Sequence, residues 1–214
     1  MTIQAAENVP DPGDRSPRDD GLPEDPAVFT IGHSTHTLEE FIGILKEAGI
    51  SLVIDVRTVP RSRHNPWFNR EDLAQALRDS GIGYVHCAGL GGFRHPVPLQ
   101  ESVNKGWKHE AFRAYADYMQ TDGFWASLHE AMDLARSGKV ALMCAEAVPW
   151  HCHRSLIADA LTISGVRVVH ILDAGTRMAH HLTPFARVAG GRISYPKDPG
   201  QETLGRFIEE DNAK

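Results

Sequence analysis

Between Val140 and Thr162 the chain changes its hydrophobic period across one short loop, and that change limits the folds open to it. Val140 to Met143 is an apolar run with the length and bounding of a buried strand, whereas Leu156, Ile157, Ala160 and Leu161 recur at the spacing of one helix face. A strand, a tight polar loop and a helix are therefore expected there. The junction carries Cys144, Glu146, His151, Cys152, His153 and Arg154, residue types that together serve nucleophilic, acid-base and anion-binding chemistry.

The same alternation extends along the chain. Val28 to Ile31 reads as a first strand ending in Gly32-His33-Ser34, and Thr37 with Glu40 forms a capping box ahead of Phe41, Ile42, Leu45 and Ala48. Ser51 to Val56 reads as a second strand leading to Asp55-Val56-Arg57. A basic loop with Arg61, Arg63, His64, Trp67 and Phe68 follows, and Asn69 is expected to cap a helix through Leu73 and Leu77. Tyr84 to Ala88 is a third strand, after which Leu90-Gly91-Gly92 opens a long excursion through Arg94, Pro96 and Pro98, a candidate lid. Helices over Glu110 to Gln120 and Phe124 to Ser137 precede the focal strand, and Val166 to Leu172 gives a fifth. From Asp173-Ala174-Gly175 through His180 and His181 to Tyr195 the pattern is mixed.

Strands alternating with helices predict an α/β fold, a single domain with a mostly parallel sheet of about five strands and helices on both faces. In such sheets ligands bind outside the carboxyl ends of the strands. Here the polar clusters Gly32-His33-Ser34, Asp55-Val56-Arg57, Cys87 with Leu90-Gly91-Gly92, Cys144-Ala145-Glu146, and Asp173 all fall at such ends, which predicts one site built from five exits.

Charge sets the domain limits. Residues 1–26 hold five of the 13 prolines and a net charge of −5, and read as a disordered acidic tail. Residues 197–214 carry −2 and read as a polar tail, which leaves 27–196 as the folded domain with a net charge of +1. No early basic segment leads into an apolar run and none is long enough to span a bilayer, so no membrane association and a cytoplasmic location are expected. Three cysteines in a reducing compartment leave thiols free rather than forming a disulfide framework. Oligomeric state and any cofactor stay open.

Cys152 precedes the last helix, where the dipole and Arg154 lower a thiol pKa, which makes it the first candidate nucleophile; Cys144, at a strand end, is the second. Glu146 and His33 are candidates for proton transfer. Arg154 and His153 at the helix start, with Arg57, Arg61, Gly32 and Ser34, are candidates for holding an anion. Asp55 and Arg57 are expected to diverge, one toward the site and the other anchoring the loop.

These groups predict an enzyme with a cysteine-centred site acting on a small phosphorylated, nucleotide or otherwise anionic substrate. Two alternatives use the same residues. The arginine-aromatic loop suits a non-catalytic nucleic-acid or nucleotide binding module, although the near-neutral domain speaks against strong nonspecific binding. Cys144, Cys152, His151, His153, His33 and His36 could serve a metal-dependent hydrolase, but the close cysteine pairs of structural zinc sites are missing, and no metal ligand is assigned. Neither a Walker loop nor a Gly-x-Gly-x-x-Gly turn occurs.

Taken in order, Gly32-His33-Ser34, Asp55-Val56-Arg57 with Pro60, Ser62-Arg63 and Phe68, Leu90-Gly91-Gly92, and Cys144-Ala145-Glu146 leading to Cys152-His153-Arg154 resemble the domain of unknown function 488 family, over about Phe29 to Pro184. The resemblance implies a compact α/β domain and supplies no reaction. A looser likeness to rhodanese and low-molecular-weight phosphatase sites stops at the Cys-x5-Arg spacing, because Trp150 stands where the arginine would be.

Overall fold

The computed structural model describes residues 27–197, so the expected tails, 1–26 and 197–214, lie outside the described residues except for Lys197. Each sequence period becomes the expected element. β1 (Ala27–Gly32), α1 (Leu38–Glu47), β2 (Leu52–Asp55), α2 (Arg70–Asp79), β3 (Gly83–His86), α3 (Glu110–Tyr118), α4 (Asp122–Ala135), β4 (Val140–Cys144), α5 (Arg154–Ile163) and β5 (Arg167–Asp173) follow one another. Short antiparallel elements come last: β6 (Thr176–Ala179), β7 (Arg187–Ala189) and β8 (Arg192–Ser194).

The sheet order is β3-β2-β4-β1-β5-β6, with β1 to β5 parallel and β6 antiparallel at the edge; β7 and β8 pair separately. Sheet residues alternate between two cores, as a period of two demands. Val28, Ile54, Val140, Leu142 and Cys144 face α3, α4 and α5, whereas Phe29, Ile31, Val53, Ala141 and Met143 face α1 and α2. Each fully buried Leu, Ile or Phe contributes roughly 1.5–3 kcal/mol, so burial on both faces holds the sheet between its helices.

β4 and β1 are neighbours, but the chain leaves β1 toward α1 on one face and leaves β4 toward α5 on the other. A crevice opens where adjacent strands send their connections to opposite faces. The site falls there.

Local capping follows the sequence at α1 and departs from it at α2. Thr37 Oγ1 accepts from Glu40 N at 3.2 Å, and Glu40 Oε2 accepts from Thr37 N at 2.8 Å. Asn69 stands at the N-cap of α2 without a side-chain capping bond, because its Oδ1 accepts instead from Ser62 N at 2.9 Å and closes the basic loop. The excursion after Gly92 is pinned along its far half rather than free to close as a lid. Asn104 is fully buried, donates to Asp117 on α3 at 2.7 Å and accepts from Tyr195 N at 2.8 Å. Among the described residues no helix is long and apolar enough to cross a membrane.

Candidate functional site

Four strand exits, not five, meet in a cleft of about 300 Å³. β1 supplies His33, β2 supplies Arg57 to Ser62, β3 supplies Gly92 and Phe93, and β4 supplies Cys144, Ala145, Glu146, Cys152 and His153. Asp173 takes no part, because its carboxylate accepts from Ala174 N at 2.8 Å and forms the turn into β6. Cys152 and His153 also border an adjoining recess of about 210 Å³ with His109, Phe112, Tyr115 and His151.

The two cysteines meet on the cleft wall. Cys144 ends β4, the loop returns through a short 3-10 turn (Pro149–His151), and Cys152 arrives with its Sγ 2.8 Å from that of Cys144. His153 Nδ1 lies 3.4 Å from Cys152 Sγ, and its Nε2 lies 3.0 Å from the carbonyl oxygen of Val56. That oxygen can only accept, so Nε2 carries the hydrogen and a neutral His153 presents a bare Nδ1 to the thiol. Thiol, imidazole and backbone carbonyl are thus in sequence. The Cys144 thiol donating to Cys152 holds the Cys152 pKa well below the ordinary thiol value, aided by His153 and Arg154, while burial and the same partner push Cys144 well above it.

The glycines of the motifs make room for this arrangement. A Cβ on Gly92 would stand 2.4 Å from His153 Nδ1, so Gly92 admits the imidazole. A Cβ on Gly32 would stand 1.8 Å from the carbonyl oxygen of Glu146. Gly32 therefore accommodates the protein's own loop, where the sequence suggested close approach by a ligand. Ser34 follows in a left-handed conformation, φ 46°, and donates its N–H to Ala145 O at 2.9 Å, which ties the β1 exit to the β4 exit.

Arg154 is almost fully buried and does not line the cleft. Its Nη2 donates to the carbonyls of Glu146 and Ala147 at 2.8 and 3.0 Å, clamping the loop between the two cysteines. Its Nε and Nη1 have no partner. Its charge lowers the Cys152 pKa, after the larger effects of Cys144 and His153.

Asp55 and Arg57 do not diverge. Residues two apart on an extended chain share a face, and the Arg57 fork grips Asp55 with Nε at 2.9 Å and Nη2 at 2.6 Å from its oxygens. Tyr84 donates its hydroxyl to the same carboxylate at 2.7 Å. Arg57 Nη1 reaches His33 Nε2 at 3.4 Å, while His33 Nδ1 donates to Ser34 O at 3.1 Å. Burial, then the Arg57 charge, lower the His33 pKa to about 4, so His33 is neutral at physiological pH with its one lone pair engaged. It positions Arg57 and stacks on Phe68 at 4.2 Å. Glu146 and Arg61 are exposed at the rim, where a ligand can meet them.

Of the two aromatic residues in the basic loop, Trp67 is exposed and Phe68 is not. Phe68 is fully buried in the core beneath His33, and Trp67 donates Nε1 to His36 O at 3.3 Å. Among the described residues no cluster of three or more His, Cys, Asp or Glu is placed to hold a metal ion.

Sequence reading missed a second histidine system behind the site. Thr30 Oγ1 lies 2.7 Å from His170 Nδ1, His170 Nε2 lies 2.9 Å from His180 Nδ1, and His180 Nε2 lies 2.9 Å from Asp159 Oδ1. Thr183 and Tyr195 donate hydroxyls to Asp159 Oδ2 at 2.7 and 2.8 Å. The only sequence signal was the presence of polar residues, Thr30, Asp159 and His170, within apolar periods.

A family model described as Domain of unknown function DUF488 matches residues 37–161, more than half of the chain. The match takes in the Asp55, Leu90-Gly91-Gly92 and Cys144 to Arg154 motifs and begins after Gly32-His33-Ser34. No curated protein and no solved structure matches the chain.

Proposed function

The chain belongs to the domain of unknown function 488 family, and on that premise we propose that it is an enzyme that uses Cys152 as a nucleophile on a small anionic substrate. One observation carries the reading: Cys152 Sγ stands 3.4 Å from the bare nitrogen of a histidine whose other nitrogen is fixed on Val56 O. In the proposed reaction His153 Nδ1 accepts the Cys152 proton, the thiolate attacks an electrophilic centre in the cleft, and the imidazolium returns a proton to the leaving group. The exposed guanidinium of Arg61, with Ser62 and Thr58 beside it, supports the choice of an anion. A cleft of about 300 Å³ sits at the lower end of the range for small-molecule sites, which favours a compact substrate.

The test is the rate of alkylation of each cysteine against pH, assigned by mass spectrometry. Cys152 should keep reacting at pH values well below those an ordinary thiol needs, whereas Cys144 and Cys87, both pushed up by burial, should need alkaline solution. Inorganic phosphate or pyrophosphate should protect Cys152, and Arg61→Ala should weaken that protection several-fold. An inert Cys152 across the whole range overturns the reading.

A further inference from the structure

We propose that Cys144 and Cys152 form a two-electron thiol-disulfide centre whose substrates are small anionic disulfides, with Cys152 attacking and Cys144 resolving. The inference rests on the reading of Cys152 as nucleophile and goes beyond it by giving the second cysteine a role and the site a substrate class.

The argument begins with the contact between the sulfurs. At 2.8 Å they are within about 0.8 Å of disulfide bonding distance, and both border the same cleft. Apart from Cys152, the one other hydrogen-bond acceptor near Cys144 Sγ is the Glu146 carbonyl oxygen at 3.8 Å, a long contact to give up. Cys87 does not line the cleft. The Arg154 clamp on the Glu146 and Ala147 carbonyls fixes the loop that sets the two sulfurs in register.

The choice of substrate follows from what a neighbouring thiol can do. If Cys152 carried an acyl or phosphoryl group, attack by Cys144 would only move that group from one sulfur to the other. If Cys152 is joined to a substrate sulfur, Cys144 can attack Cys152 Sγ itself and release the substrate as a thiol. Only the second case makes productive use of a thiol in contact with the nucleophile.

The steps balance. Cys152 thiolate attacks one sulfur of R–S–S–R, the S–S bond breaks, and R–S⁻ leaves with the electron pair while Cys152–S–S–R forms. The Cys144 sulfur then attacks Cys152 Sγ, the Cys152–S–R bond breaks, and the second R–S⁻ takes up the proton lost by Cys144. The first R–S⁻ takes up the proton that Cys152 had passed to His153. The substrate disulfide is reduced to two thiols, and the protein dithiol is oxidised to one disulfide. An external dithiol restores the pair by the same exchange in reverse.

The experiment uses the full chain carrying Cys87→Ser, reacted with dithiobis-nitrobenzoate, a small anionic aryl disulfide that releases a coloured thiol. With both cleft cysteines present, two equivalents of coloured thiol should appear per chain, no adduct should remain, and peptide mapping should find Cys144 joined to Cys152. With Cys144→Ser added, one equivalent should appear and one should stay on Cys152; Cys144→Ala serves if the serine variant loses its melting transition. An adduct that persists on Cys152 beside an intact Cys144 overturns the paired centre and leaves the nucleophile reading standing. If Cys152 forms no adduct in any of these proteins, both readings fall.

Discussion

Two histidine chains run through this molecule within one strand of each other, and they end differently. One passes from Cys144 through Cys152 and His153 to a backbone carbonyl, and it borders a cleft. The other passes from Thr30 through His170 and His180 to Asp159, a carboxylate with four side-chain and backbone donors. The carbonyl fixes the ring of His153 through Nε2 and leaves Nδ1 facing the thiol. A carboxylate closes the second, and every polar atom along it is engaged. The same residue type borders a cleft beside a thiol in one place and sits within a closed hydrogen-bond network in the other.

The largest effect expected from breaking this contrast is at the closed network. Asp159→Ala leaves His180, Thr183 and Tyr195 without their common acceptor in a buried setting, and should cost about 3–5 kcal/mol, read by thermal or urea unfolding. The reactivity of Cys152 should stay within a few-fold while the protein is folded. A variant that melts like the parent would show that the chain carries no load.

Acid comes next. His33 and His170 have pKa values lowered to about 4 and about 3, first by burial, so in the unfolded chain each takes up a proton near 6.5 that the folded chain refuses. Their contribution is complete above pH 6.5 and is lost as pH falls through the folded-state values, on the order of 3–5 kcal/mol for each. The melting temperature should decline steadily from about pH 6.5 to 4. Replacing His170 by Gln should flatten part of that decline; an unchanged profile would contradict the assignment.

At the chain that borders the cleft the effects should appear in rate rather than stability. His153→Ala removes the base that faces Cys152 and should slow alkylation at neutral pH about 10- to 100-fold, with a loss of stability near 1 kcal/mol. A smaller change is expected for Cys144→Ala, which removes the donor that most lowers the Cys152 pKa and should shift its alkylation profile toward alkaline pH. If Cys144→Ala slows Cys152 more than His153→Ala does, the order of the two partners along the chain must be reversed.

Much of the molecule was legible in the sequence because periodicity is a local property. The α1 capping box, the strand at Val140 and the helix from Leu156 follow from neighbours a few residues apart. The polar clusters at strand ends also pointed to the edge where the cleft lies, since parallel sheets gather those ends on one edge. The β7 and β8 hairpin stayed unread because three-residue strands show almost no period.

What the sequence by itself determined was the α/β alternation and the candidate site residues. What only the tertiary structure decided was which groups meet. That Arg154 turns inward to clamp a loop, that Gly32 admits the Glu146 carbonyl, and that Asp55 engages Arg57 are all outcomes of approach between strands. The physical reason is that a buried polar group must find a partner wherever the packed chain offers one. Partners such as Val56 O for His153, 97 residues away, leave no trace in local sequence.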